Sequence, residues 1–187
     1  MGANIREITE GDADAVASLR VLSWQHTYRG MVPQDFLDRL RPEQMADRLR
    51  AQVRSGLQDQ VHLVAEAAGS GIVGWANIGP YRPIPEVDGP PAASDAAPGA
   101  PAAAGEGELY ALYLRPEYTG QGLGRELLHA ALGLLEAQGH SRVLLWVLRD
   151  NVRARRFYER AGFTADGSQN VLQISGAPVP EVRYVRG

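Results

Sequence analysis

The chain of 187 residues contains no cysteine, which removes disulfides, thiolate nucleophiles and cysteine-ligated metals in one step. Lysine is lacking as well, while alanine, arginine and glycine are heavily used, a composition that points to a GC-rich bacterial genome. The formal charge of −3 is mild and no basic block runs along the chain, so there is no electrostatic footprint for nucleic acid. No apolar run reaches membrane-spanning length, and the opening MGANIREITEGDADAV carries acids early. Neither a span nor a secretory signal is therefore expected, and a cytoplasmic location is. The four histidines, His26, His62, His129 and His140, are scattered, and no His/Asp/Glu spacing suggests a metal site. The length suits a single domain with a full core.

What is present centres on Glu108–Leu128, ELYALYLRPEYTGQGLGRELL. Leu109 to Leu114 is almost wholly apolar and aromatic, as in a strand covered on both faces. Arg115-Pro116 ends the ladder, because proline has no N–H to donate. Gly120, Gly122 and Gly124 follow at alternate positions, and Arg125-Glu126-Leu127-Leu128 begins a helical run. A strand–glycine–helix junction leaves backbone N–H groups unpaired at the positive end of a helix dipole, a cradle for phosphate. A Walker loop is excluded, since no Lys-Ser/Thr follows Gly124. A dinucleotide fingerprint fits poorly: the spacing is G-x-G-x-G, more than a hundred residues into the chain.

Read in order, Asn4–Thr9 is a short strand and Ala13–Thr27 a helix capped by Thr9 or Asp12, with Val16, Leu19 and Leu22 at helical spacing. Two further helices are expected at Gln34–Leu40 and Pro42–Ser55, the second opened by proline at its first position. Val61–Ala67 and Ile72–Gly79 form a hairpin around Ala68-Gly69-Ser70-Gly71. After Glu108–Leu114 and its helix come a central strand Arg142–Leu148, a helix Asn151–Ala161 stopped by Gly162, and two closing strands. These last, Phe163–Asp166 and Glu181–Val185, flank a polar connection containing glycine and proline. The order predicts an α+β fold with a mixed sheet of about seven strands flanked by helices.

The stretch Thr119–Arg125 resembles the coenzyme A loop of the GCN5-related N-acetyltransferases, Gln/Arg-x-x-Gly-x-Gly/Ala after a hydrophobic-x-Pro strand end. Gly122 and Gly124 fill the small positions, and Thr119 stands where that family has glutamine or arginine. A second landmark is Asn151-Val152-Arg153-Ala154-Arg155-Arg156-Phe157-Tyr158-Glu159-Arg160-Ala161-Gly162-Phe163, which resembles the family's Asn-x-x-Ala-x-x-Phe-Tyr-x-x-x-Gly-Phe. Taken alone, each motif fits ordinary packing; at this separation, and with the element order, they resemble the family over nearly the whole chain.

The resemblance implies a splayed sheet with acetyl-CoA as cosubstrate between the strands of Glu108–Leu114 and Arg142–Leu148. It implies backbone contacts from Leu112, Tyr113 and Leu114 and a pyrophosphate loop of Thr119, Gly120, Gln121, Gly122, Leu123, Gly124 and Arg125. It also implies a pantetheine contact at Asn151 and a leaving-group acid at Tyr158. A tyrosine hydroxyl, with its high ordinary pKa, is a competent proton donor at neutral pH. For the base, Glu108 at the strand start, Glu106, or a water chain are all open. Trp24 and Tyr28, four apart on a helix, fit a core stripe or a wall for the acceptor amine.

Arg82–Gly107, rich in proline, alanine and glycine, is too long for a hairpin loop. It reads as a tolerated surface insertion or as a cover for the acceptor mouth. The function expected from the resemblance is transfer of an acetyl group to the primary amine of a small molecule, amino acid or peptide. An idle acyl-CoA-binding module and a transferase for a longer acyl group are the alternatives. No nucleic-acid or membrane partner is expected, and a homodimer is left open.

Overall fold

The computed structural model describes residues 3–56, 59–88 and 105–187. The elements in order are β1 Asn4–Glu7, α1 Ala13–Thr27, α2 Gln34–Arg39, α3 Pro42–Ser55, β2 Val61–Ala67 and β3 Gly71–Pro80. They continue with a helical turn α4 Pro85–Asp88, β4 Glu106–Leu114, α5 Leu123–Ala137, β5 Arg142–Leu148, α6 Val152–Arg160, β6 Thr164–Ile174 and β7 Ala177–Arg186. The seven strands form one mixed sheet in the order β1-β2-β3-β4-β5-β7-β6. Among the described residues no helix is long and apolar enough to cross a membrane.

Alternation along the strands divides the core into two layers. Leu63, Ala76, Ile78 and Leu109 face α5 through Leu127, Leu128, Ala131 and Leu135. Val64, Ile72 and Trp75 face the other way, onto Val16 and Leu19 of α1 and Leu49 of α3. The expected α1 stripe is corrected at its third member. Leu22 is 51% exposed, and Ser23 takes the inward position, donating its hydroxyl to the Leu114 carbonyl at 2.7 Å.

β4 and β5 are parallel, and they pair only at Glu106↔Arg142, Gly107↔Val143 and Glu108↔Leu144. Beyond that apex they separate, so the sheet splays at its centre. The β3–β4 register shifts after Asn77↔Ala111 to Ile78↔Leu109, which leaves Tyr110 as the extra residue of a bulge. Bulges sharpen twist and re-aim a strand. β4 begins at Glu106, two residues before the expected start.

The closing hairpin departs most from expectation. The polar connection between the two short strands is itself strand: Gln169–Ile174 pairs with Val182–Ala177. It turns at Ser175 and Gly176, whose φ of 50° and 79° are those of a tight two-residue hairpin turn. Pro178 and Pro180 are tolerated because this end of β7 runs past β5. The Pro180 carbonyl accepts from Arg149 N–H on the β5 side, so the nitrogens lacking hydrogen face where no strand continues.

Candidate active site

A cavity of about 1200 Å³ runs from the glycine loop through the splay to the start of the proline-rich segment. Drug-sized pockets are commonly smaller, so it has room for two ligands together. The separation of β4 from β5 produces it. Arg115 N–H bonds to the Val73 carbonyl, so by alternation Tyr113 also directs its backbone to β3. Leu112 and Leu114 direct theirs into the gap. The Tyr113 backbone, expected to contact a ligand, is thus engaged with β3. Its phenol lines the cavity, with the hydroxyl 3.3 Å from that of Tyr28. The Leu114 carbonyl is already occupied by Ser23.

At one end lies the loop before α5. The 3-10 turn Pro116–Tyr118 brings the chain round, and Gly120 and Gly122 take φ of +80° and +91°. Among the described residues, the backbone N–H groups of Gly120, Gln121, Gly122, Leu123 and Gly124 donate to no protein atom. Five free donors at a helix N-terminus fit a diphosphate. A Cβ on Gly124 would stand 3.4 Å from Leu114 and 3.6 Å from Phe157, so the small residue keeps the loop close to the splay. Arg125, exposed at this rim, adds charge, as does Arg153 of α6, which sequence reading did not single out. Three side chains here are directed elsewhere. Thr119 Oγ1 donates to the Pro116 carbonyl, Gln121 Nε2 donates to that of Glu117, and Leu123 packs on Val73 and Ala65.

The opposite lip is set by α6. Asn151 Oδ1 accepts Ala154 N–H at 3.1 Å as the helix cap, leaving Nδ2 for the cavity. The helix ends with Phe163 N–H on the Tyr158 carbonyl and Gly162 N–H on that of Glu159, the paired bonds of a glycine-stopped helix. This fixes Tyr158, whose ring is packed between Phe157 and Phe163 at 5.1 and 5.8 Å. Its hydroxyl has no partner among the described residues and lines the cavity. Burial, with the neighbouring Tyr113, pushes the phenol well above its ordinary pKa, so it keeps its proton.

The far wall is aromatic. Trp24 meets Tyr28 edge-on at 5.0 Å, and both belong to a small cluster with Phe36 and Leu37 while also lining the cavity. The packed stripe therefore also faces the cavity. Trp75 stacks on Tyr113 and donates to His62 Nδ1 at 3.3 Å. Burial, with Arg20 nearby, lowers His62 to about 4, so it is a neutral packing group.

Glu108, the first of the candidate bases, lines the cavity. It is buried, and Arg82 holds it through its backbone N–H at 3.0 Å and its guanidinium at 2.8 and 3.2 Å. The same guanidinium lies 3.8 Å over the Tyr110 ring. Both carboxylate oxygens are thereby occupied by Arg82 donors. Glu106 pairs with Arg142 at 2.6 Å and is not in the cavity wall. Arg82, Pro83 and Ile84 line the mouth, while residues 89–104 of the expected insertion lie outside the described residues. Sequence reading missed Glu181 and Asn170, which reach the cavity from β7 and β6.

Comparison with known proteins agrees with this geometry. The model of the acetyltransferase (GNAT) family matches residues 20–163. The uncharacterized N-acetyltransferase YuaI of Bacillus subtilis is 29% identical over 147 residues, 79% of this chain and 72% of that protein. The spermidine N(1)-acetyltransferase of Thermoplasma acidophilum is 24% identical over 178 residues, 92% and 97% of the two chains. Among solved structures, the PaiA N-acetyltransferase of Thermoplasma acidophilum, in complex with coenzyme A, superposes with a TM-score of 0.68 at 23% identity. It covers 97% of this chain and 98% of its own. The chain belongs to the GNAT acetyltransferase family.

Proposed function

We propose that this protein transfers the acetyl group of acetyl-CoA to the primary amine of a small molecule, amino acid or peptide by direct attack. The observation that carries the reading is a cavity that reaches from Gly120, Gly122 and Gly124 of the glycine loop, whose N–H groups are free, to the unpartnered Tyr158 hydroxyl. The donors of Gly120–Gly124 suit the diphosphate, with Arg125 and Arg153 at the rim. Leu112 and Leu114 offer strand-edge backbone groups to an extended amide-bearing arm, and Asn151 Nδ2 offers another donor. An acceptor approaching along Trp24, Tyr28 and Tyr113 meets the thioester from the far side.

The chemistry needs a neutral amine, polarisation of the carbonyl and a proton for the departing thiolate. Tyr158 serves the last need, since its phenol holds a proton across the physiological range. Glu108, clamped by Arg82, serves as a structural anchor for the cavity floor rather than as the base.

The test is release of free CoA from acetyl-CoA across a panel of polyamines, monoamines, amino acids and short peptides. Release dependent on one amine class is the expected result. Acetyl-CoA binding without release for any amine would refute transfer to amines and leave a binding module. An absence of acetyl-CoA binding would refute the phosphate cradle itself.

A further inference from the structure

Three carboxylates reach the cavity wall, and their surroundings differ. Glu108 is clamped by Arg82, and Asp150 lies 3.4 Å from Arg149. Glu181, only 8% exposed, has no cation within ion-pair distance among the described residues. It stands on β7 opposite Leu148 of β5 and Asn170 of β6. Its Oε1 accepts from Asn170 Nδ2 at 2.8 Å. Arg183, two residues along β7, is engaged with Asp166 at 2.7 Å and the Tyr81 hydroxyl at 2.7 Å. The other titratable groups felt at Glu181 are Glu108 from β4 and Tyr28 from α1. Neither is positive.

A buried carboxylate without a counter-charge is unfavourable, and this one opens on a cavity. Burial raises its carboxyl above the ordinary value; the Asn170 bond opposes this and the Glu108 charge adds to it. The shift is in the direction that favours accepting a proton near neutrality.

We propose that Glu181 receives the ammonium group of the acceptor and takes its first proton, so that the acceptor is a cationic amine. This rests on the transferase reading above. The protons balance. One of the three on the ammonium passes to Glu181 and then to solvent. The freed lone pair forms the C–N bond as the C–S bond breaks. Tyr158 gives its proton to the thiolate and regains the second nitrogen proton, and the amide keeps the third. Ammonium and acetyl thioester become amide, thiol and one released proton.

Two readouts test this with 1,4-diaminobutane as the probe. CoA release is followed against pH in the parent chain, Glu181→Gln and Glu181→Asp. In parallel, the ¹³C side-chain carboxyl resonance of Glu181, assigned by its loss in Glu181→Gln, is titrated with the diamine on CoA-saturated protein. The expected result is an acceptor KM at least about tenfold higher in Glu181→Gln and a flattened rise of kcat/KM with pH. Partial recovery is expected in Glu181→Asp, with CoA affinity unchanged and a saturable resonance shift. An unchanged KM and pH profile in Glu181→Gln, or a resonance indifferent to the diamine, would overturn the proposal. A saturable shift without turnover would uphold the cation site and overturn the transferase reading alone.

Discussion

Replacing Gly122 by alanine isolates the contribution of the glycine loop. Gly122 is the residue before α5, with φ 91° and ψ −22°. A Cβ built there meets no atom within 4 Å, so no clash arises and the cost is purely conformational. An L side chain in the left-handed region costs about 1–2 kcal/mol. If the loop keeps its shape, the free protein loses that stability, which lowers Tm by about 2–4 °C per kcal/mol in a chain of this size. If the loop relaxes, stability is kept, the five N–H groups disperse, and acetyl-CoA binding has to restore them. The same energy then appears as a Kd raised about 5- to 30-fold. Thermal denaturation of the free protein and calorimetric titration with acetyl-CoA measure both parts, and their sum should reach about 1–2 kcal/mol. Gly133→Ala, inside α5, is the control. It is exposed, mid-helix and equally free of neighbours, so it should gain about 0.5–1 kcal/mol and leave Kd alone. A Gly122→Ala variant that loses neither stability nor affinity would refute the assignment of the loop as a preformed anion site.

Tyr158→Phe removes a hydroxyl that bonds to no described residue, so folding and acetyl-CoA affinity should hold while kcat falls about 100-fold; an unaltered kcat retires Tyr158 as the acid. Arg82→Ala removes the cation from the buried Glu108 carboxylate, leaving it the backbone N–H of residue 82, and should cost about 1–3 kcal/mol, most of it recovered when Glu108→Gln is added, as a double-mutant cycle by urea denaturation would read. Asp12 is held down to about 2, chiefly by its bond from Arg6. A lowered folded value stabilises above the ordinary carboxylate range and is lost as pH falls from about 4 to about 2. Its contribution is about 2 kcal/mol, and Asp12→Asn should flatten that part of the stability–pH curve.

Four elements were legible in the sequence to the residue. Ala13–Thr27, Pro42–Ser55, Val61–Ala67 and Arg142–Leu148 are observed with those bounds. The hairpin Thr164–Ile174/Ala177–Arg186 escaped because its outer strand is a largely exposed edge, with few apolar residues to mark alternation. Its prolines also read as loop, since nothing local says that one side of β7 is unpaired. The Tyr110 bulge was equally hidden, because an unbroken apolar run carries no register. Within the site, the glycine loop, Asn151 and Tyr158 were visible as local motifs. Glu181 was not, for its place comes from β7 lying beside β5, and no neighbour in sequence reports that.

The opening between β4 and β5 bears on how the protein keeps to itself. Beyond the apex at Glu108 and Leu144, both strands are edges inside a sheet, and bare edges invite other chains to pair. A peptide strand needs about 4.8 Å to each neighbour, hence two flanks held parallel at roughly twice that spacing. A taper meets the requirement at one depth only, so a polypeptide inserted there could bond over a residue or two and no further. A slim, flexible arm with few amides has no such demand. A taper of this kind therefore suits a thin ligand better than the strand of another protein.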